Sequence, residues 1–286
     1  MLSRRQRRQV DGVLLLDKPA GVTSNGALQS AKRLLNAAKA GHTGTLDPFA
    51  TGLLPLCFGE ATKFAQMLLD ARKSYVATVH FGVRTTTGDV DGDIVGTTAA
   101  DFDPAALEAV LSRFRGAIRQ LPPMHSALKR DGKPYYEYAR QGIDIERSPR
   151  EVEIDELVLE HWQPPYATMR VTCSKGTYVR VLAEDIGAAL GSCAHLSALR
   201  RTVTGGFGLA AAVTLDRLAD TPEEGRDALL APVESLLHSL PALDVDESVA
   251  DALRMGRSVA APGVAAGSYR CRDPLAVLVG VVTAAG

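Results

Sequence analysis

Hydrophobic positions in this chain change period several times. In KSYVATVHFGV (73–83), Tyr75, Ala77, Val79, Phe81 and Val83 alternate with Val76, Thr78 and His80, the period of two that predicts a strand with one buried face. ATMRVTCS (167–174) repeats that texture. In LEAVLSRF (107–114), Leu107, Val110, Leu111 and Phe114 recur at helical spacing, as do Leu182, Ile186 and Leu190 in VRVLAEDIGAAL (179–190), which leaves Glu108 and Asp185 to face water. Strand-like and helix-like patterns alternate from Gly12 to about residue 240 without a repeat or a low-complexity tract, which predicts one mixed domain. After the turn-rich SLPALDVDES (239–248) the texture shifts to one short helix, SVADALRMG, and the apolar LAVLVGVV (275–282). A small β-rich appendage starting near Val245 accounts for this, and at roughly 40 residues it should lean on the larger part.

Composition and charge narrow the class. The chain has 286 residues, 46% of them hydrophobic, and no apolar run approaches the ~20 residues of a membrane span. The basic start, MLSRRQRRQV, precedes an apolar run (13–16) too short for a signal-peptide core and followed at once by Asp17 and Lys18. A cytoplasmic protein is expected. A formal net charge of −1 means that any polyanionic partner must be met by local basic patches. Cys57, Cys173, Cys193 and Cys271 have no CxxC spacing, so buried reduced thiols are expected rather than a zinc site or a disulfide framework.

Several candidate motifs fail on their own chemistry. TGGFGLAA holds G-x-G-x-x-A at 206–211, with neither a clear strand before it nor an acid about 20 residues on. No P-loop is present. DVDGD (89–93) invites a calcium loop or the aspartyl nucleophile of a haloacid dehalogenase-like phosphatase. The calcium loop would need glycine and glutamate where Ile94 and Ala100 stand, and Asp89 follows a polar stretch instead of closing an apolar strand. A solvated turn is the expectation for Asp89.

Asp47 is a lone carboxylate in GHTGTLDPFATGLLPLCFGEATKF (41–64). Locally, Asp-Pro reads as an N-cap and N1 pair before a helix-like run at 50–54. The functional reading rests on company: glycines at 41, 44 and 52 permit close approach of a ligand, and His42 projects from the same loop. SKGTYVR sets Tyr178 and Arg180 one residue apart at the end of a strand, on one side if the strand continues. Arg180 could hold Asp47 ionised, and an aromatic ring beside such a pair makes a platform for a planar substrate. HSALKRDGKPYYEYARQ interleaves Lys129, Arg130, Lys133 and Arg140 with three tyrosines, a mixture suited to gripping RNA or, equally, to a solvated helix.

Six segments carry a resemblance to a known family: GVLLLDKPAGVTSN, GHTGTLDPFATGLLPLCFGEATKF, KSYVATVHFG, MHSALKRDGKPYYEYARQG, CSKGTYVRVLAEDIG and AHLSALRR, in order from Gly12 to about Arg201. The chain resembles the TruB family of tRNA pseudouridine synthases, bacterial enzymes that act on uridine 55 of the T loop. The resemblance implies an α+β fold, a mixed and largely antiparallel sheet flanked by helices. It implies that Asp47 is catalytic, that Tyr75 stacks on the target base, that Tyr178 and Leu199 line the uracil pocket, and that Arg180 pairs with Asp47. His42 resembles the histidine that enters the T loop as the uridine swings out, and Lys18 lies in a motif near the same cleft. RNA contacts are expected from Lys18, Lys129, Arg130 and Lys133. The implied division is a basic tail (1–11), a catalytic domain (12–243) with a gripping segment (124–150), and a short C-terminal domain of the PUA type (244–286), shorter than the barrel usual in the family. No cofactor, metal or protein partner is implied, and a monomer acting on the tRNA T stem-loop is expected. The rivals are an RNA-binding protein without turnover and a phosphatase using Asp89.

Overall fold

In the computed structural model, which describes residues 6–285, the main sheet is built on β1 (Gly12–Lys18), β2 (Thr51–Phe58), β3 (Lys73–Phe81), β4 (Gly116–Gln120), β5 (Arg150–Gln163), β6 (Tyr166–Cys173) and β7 (Ala194–Thr204). Their lateral order is β1-β2-β7-β3-β6-β5-β4. Every neighbouring pair is antiparallel except β2 with β7, so the sheet is mixed and largely antiparallel. Two short strands, Ala40–His42 and Phe207–Gly208, extend it.

The alternation in β3 is realised: Lys73, Tyr75, Ala77, Val79 and Phe81 are buried, and the residues between them are half-buried. That buried face meets the helices Val179–Ala189 and Pro104–Ser112, whose Leu182, Ile186, Leu107 and Leu111 join the same core. Asp103 caps the second of these, accepting from Ala106 N at 2.8 Å, with Pro104 in the first turn. Glu108 is exposed as expected, but Asp185 is half-buried, because its helix is covered more widely than one stripe.

β1 and β2 read as continuous apolar runs because both their faces are covered. Leu14, Leu16, Leu54 and Leu56 join the main core, while Val13, Leu15, Leu53 and Cys57 pack with Leu236 and Leu237 on the other side. This corrects the helix expected at 50–54. The run is strand, Asp47 caps no helix, and its main-chain oxygen takes Ala50 N in a turn. Gly52, at φ +99°, explains the choice: a Cβ there would come 2.3 Å from Arg201 O across the β2–β7 pair.

The C-terminal part forms a three-stranded sheet from Ala242–Asp244, Gly267–Arg272 and Leu278–Ala284, with one helix, Glu247–Arg254. It leans on the larger part through Arg272, whose Nε meets Glu234 at 2.6 Å, and through Leu278 on the second core. Of the basic tail, Arg4 and Arg5 lie outside the described residues. Arg8 is tied down, its main chain bonded to Asn36 and Ala38 and its guanidinium paired with Asp227 at 2.5 Å. No helix among the described residues is long and apolar enough to cross a membrane.

Candidate active site

One cavity of ≈ 390 Å³ gathers Asp47, Tyr75, Tyr178, Arg180 and Leu199, together with Lys73, Arg150 and Arg201. Four pieces of chain supply the first five of these. Tyr75 comes from β3, and Leu199 from β7, where Arg201 stands directly opposite Tyr75. Asp47 comes from the loop before β2. Tyr178 and Arg180 come from the start of the helix Val179–Ala189: Tyr178 is the cap residue and Arg180 lies in the first turn. The strand before them ends at Cys173, so a turn into a helix brings these two side chains together, where strand alternation was expected.

The Asp47 loop is pinned on both sides of the carboxylate. Ser24 Oγ donates to Leu46 O at 3.0 Å and accepts from Leu46 N at 2.8 Å, while Pro48 O accepts from Gly21 N at 2.8 Å and Lys18 Nζ at 3.3 Å. Lys18 is fully buried, and its ammonium also donates to Pro19 O and Val22 O. It therefore braces the loop from inside rather than meeting RNA, a correction to the contact expected of it. Burial lowers its pKa to about 8, against the pull of Asp47.

Arg180 is 4% exposed and its guanidinium is fully engaged. Nε lies 3.0 Å from Asp47 Oδ2, Nη1 donates to Thr87 O at 2.7 Å, and Nη2 donates to His125 O at 2.7 Å. Asp89 is a second carboxylate on the same cation, 3.5 Å from Nη1. The solvated turn expected at Asp89 is thus overturned. The residue is buried, its Oδ1 accepting from Thr87 Oγ1 at 2.5 Å and Asp91 N at 3.0 Å, because residues 88 and 89 pair with Leu196 of β7. A carboxylate so engaged makes a poor nucleophile, which removes the phosphatase reading. Asp89→Asn keeps both donors but loses the charge facing Arg180. Turnover should fall on the order of tenfold, as expected for losing about 1.5 kcal/mol of charge-assisted bonding. A single-turnover rate equal to wild type would show that Asp89 is structural only.

Burial pushes the Asp47 carboxyl up from 3.8; Arg180 pulls it down, and Asp89 and Asp91 push it up again. A reaction that uses the Asp47 anion should slow as pH drops through a pKa above 3.8. An acid limb at or below that value would contradict this environment. Tyr178 is flanked by Arg150, whose guanidinium carbon lies 4.9 Å from the ring centroid, and its main-chain N–H donates to the buried Gln120 at 3.0 Å. His42 does not line the cavity; it ends the short strand two residues before Gly44, which does. Burial lowers its pKa, which favours the neutral ring.

Beyond His125, Ser126, Ala127 and Leu128 of the cavity wall, the chain runs straight into the hairpin Lys129–Arg130 and Lys133–Pro134 and the helix Tyr135–Arg140. Lys129, Arg130 and Lys133 are exposed. Sequence reading missed Arg201, Arg150, Lys73, Gln120 and the true place of Asp89. Only Arg201 had a usable signal, lying two residues from Leu199 in a strand-like run.

Comparison with known proteins fits this geometry. The family description "TruB family pseudouridylate synthase (N terminal domain)" matches residues 32–179, and "tRNA pseudouridylate synthase B C-terminal domain" matches 180–238. The chain belongs to the TruB family. It is 60% identical over 264 residues to tRNA pseudouridine synthase B of Azoarcus sp. (strain BH72), covering 92% of this chain and 88% of that one. It is 56% identical to tRNA pseudouridine synthase B of Burkholderia mallei (strain ATCC 23344), covering 98% and 93%. Among solved structures, a Cbf5-Nop10-Gar1 complex contains a chain that is 31% identical with a TM-score of 0.76, covering 96% of this chain and 78% of that one.

Proposed function

We propose that this protein isomerises uridine 55 in the T loop of tRNA to pseudouridine, with Asp47 as the essential anion. The observation that carries this reading is the Arg180-held carboxylate in a cavity walled by Tyr75, Tyr178 and Leu199. The reaction breaks the N1–C1′ bond, turns the detached uracil and joins its C5 to C1′, with no net oxidation and no water consumed. An ionised carboxylate needs no general base, so one acid suffices where a glycosidase generally uses two. The aromatic residues hold the ring, and the closed wall keeps the free base from leaving. Reaching the base requires flipping it from the loop, at a cost of a few kcal/mol offset by stacking and base-edge bonds. His42 would fill the vacated place.

We place RNA gripping in 124–150, catalysis in 12–243 and a short PUA-like unit in 244–286, in a monomer acting in the cytoplasm. Mapping pseudouridine in a T-arm RNA, beside a copy with cytidine at position 55, tests the reading. One pseudouridine at 55 is expected, and its absence with RNA still bound would favour the rival, a binding protein without turnover. RNA affinity should fall with salt, and replacing Lys129, Arg130 and Lys133 by Ala should reduce the log–log slope by about two to three. An unchanged slope would remove this hairpin from the interface.

A further inference from the structure

Of the cavity cations that take no part in the proposed chemistry, Lys73 is held by three carbonyls and Arg150 lies over Tyr178, while Arg201 carries a buried Nη2 without a partner. Arg201 lines the cavity, is 1% exposed and is among the largest fully buried side chains of the chain. No ion pair among the described residues includes it. Its Nε donates to Leu53 O at 2.6 Å, yet its Nη2 is buried with no hydrogen-bond partner. A second observation points the same way. Arg201 stands opposite Tyr75 in the strand register, and both residues line the cavity. Gly52 packs against its main chain, where a Cβ would come 2.3 Å from Arg201 O. Burying a cation without an ion-pair partner near Lys18, Lys73 and His42 is costly, and negative charge developing on a substrate in the cavity would offset that cost.

We infer that Arg201 stabilises the negative charge that develops on the uracil ring during the isomerisation, acting by its field from the cavity wall beside Tyr75. This rests on reading the cavity as the uracil site. When N1–C1′ breaks, its electron pair goes to the base, which becomes an anion with charge shared between N1 and the two carbonyl oxygens. C1′ is compensated either by a bond to the Asp47 carboxylate or by loss of the C2′ proton to that carboxylate, which returns it when C5 bonds C1′. When Asp47 adds to C6 instead, the displaced pair moves onto the same ring. C5 then supplies the pair that bonds C1′; its proton is lost and N1 gains one, so the charge appears and disappears inside the cavity. A fixed cation aimed at charge found only in the transition state and intermediate accelerates the step without tightening substrate binding.

The test uses T-arm RNA that is abasic at position 55, which leaves the cavity open, and two free bases. These are uracil and 5-nitrouracil, the latter anionic at neutral pH. Arg201→Met should lower the preference for 5-nitrouracil over uracil by about tenfold or more, Arg201→Lys should lower it less, and affinity for intact T-arm RNA should stay within about twofold. On uridine-containing RNA the single-turnover rate of Arg201→Met should drop about a hundredfold. If Arg201→Met does not fold, Arg201→Gln, which keeps a polar donor near Leu53 O, should lower the anion preference in its place. A preference unchanged in folded Arg201→Met or in folded Arg201→Gln overturns the inference. Failure of the wild-type protein to make pseudouridine would instead overturn the reading of the site.

Discussion

Asp47→Asn should abolish pseudouridine formation, to below about one ten-thousandth of the wild-type rate, while the protein stays folded and binds T-arm RNA. The amide has nearly the size of the carboxylate but is no anionic nucleophile. Little structure depends on the charge. The loop is fixed through Leu46, Pro48 and the turn from Asp47 O to Ala50 N, none of which uses the Asp47 side chain. Stability should therefore move by no more than about 1 kcal/mol. RNA binding should weaken only slightly, as Arg180 keeps Asp89, Thr87 and His125. Thermal melting, RNA titration and single-turnover kinetics on one preparation would check all three statements. Turnover within tenfold of wild type would sink the catalytic role.

The second large effect is on stability as well as rate. Arg180→Met should destabilise the fold by about 3–5 kcal/mol, because it strands buried Asp89 without its cation and leaves the Thr87 and His125 carbonyls without donors. Both partners of that pair are nearly inaccessible, with side chains 4% and 5% exposed, so solvent does little to soften the loss. Adding Asp89→Asn should restore part of the stability without restoring turnover, since Asp47 would still lack its orienting partner. Arg180→Lys keeps the charge but cannot reach so many acceptors with one ammonium, and should fall between. A denaturant midpoint for Arg180→Met equal to wild type would mean that the buried pair contributes nothing.

How far the chain could be read follows from where each residue's constraint lies. The strand 73–81 and the helix 179–189 were legible because their burial is one-sided and so imprints a period. The strand 51–58 was not, because both faces are covered and its pattern collapses to an apolar run that a helix could share. Asp47, Tyr75, Tyr178, Arg180 and Leu199 were named from ordered motifs, and the fold brings all five to one cavity. Asp89 was misread since nothing local announces burial; the neighbouring chain of β7 imposes it. Lys18 was placed on the RNA side from its motif near the cleft, whereas three main-chain carbonyls hold its ammonium inside the protein.

Chelation should leave the activity intact, since the chemistry proposed at the carboxylate held by Arg180 uses no Lewis acid. Loss of activity in chelator, restored by a divalent ion while the RNA remains folded, would contradict that. The most direct measurement of the central claim is tritium release from T-arm RNA carrying [5-³H]uridine at position 55 alone. C5 must lose its hydrogen when it bonds to C1′. The account predicts stoichiometric release by the wild-type protein and none by Asp47→Asn bound to the same RNA. Equal release from both, or none from either at saturation, would contradict it.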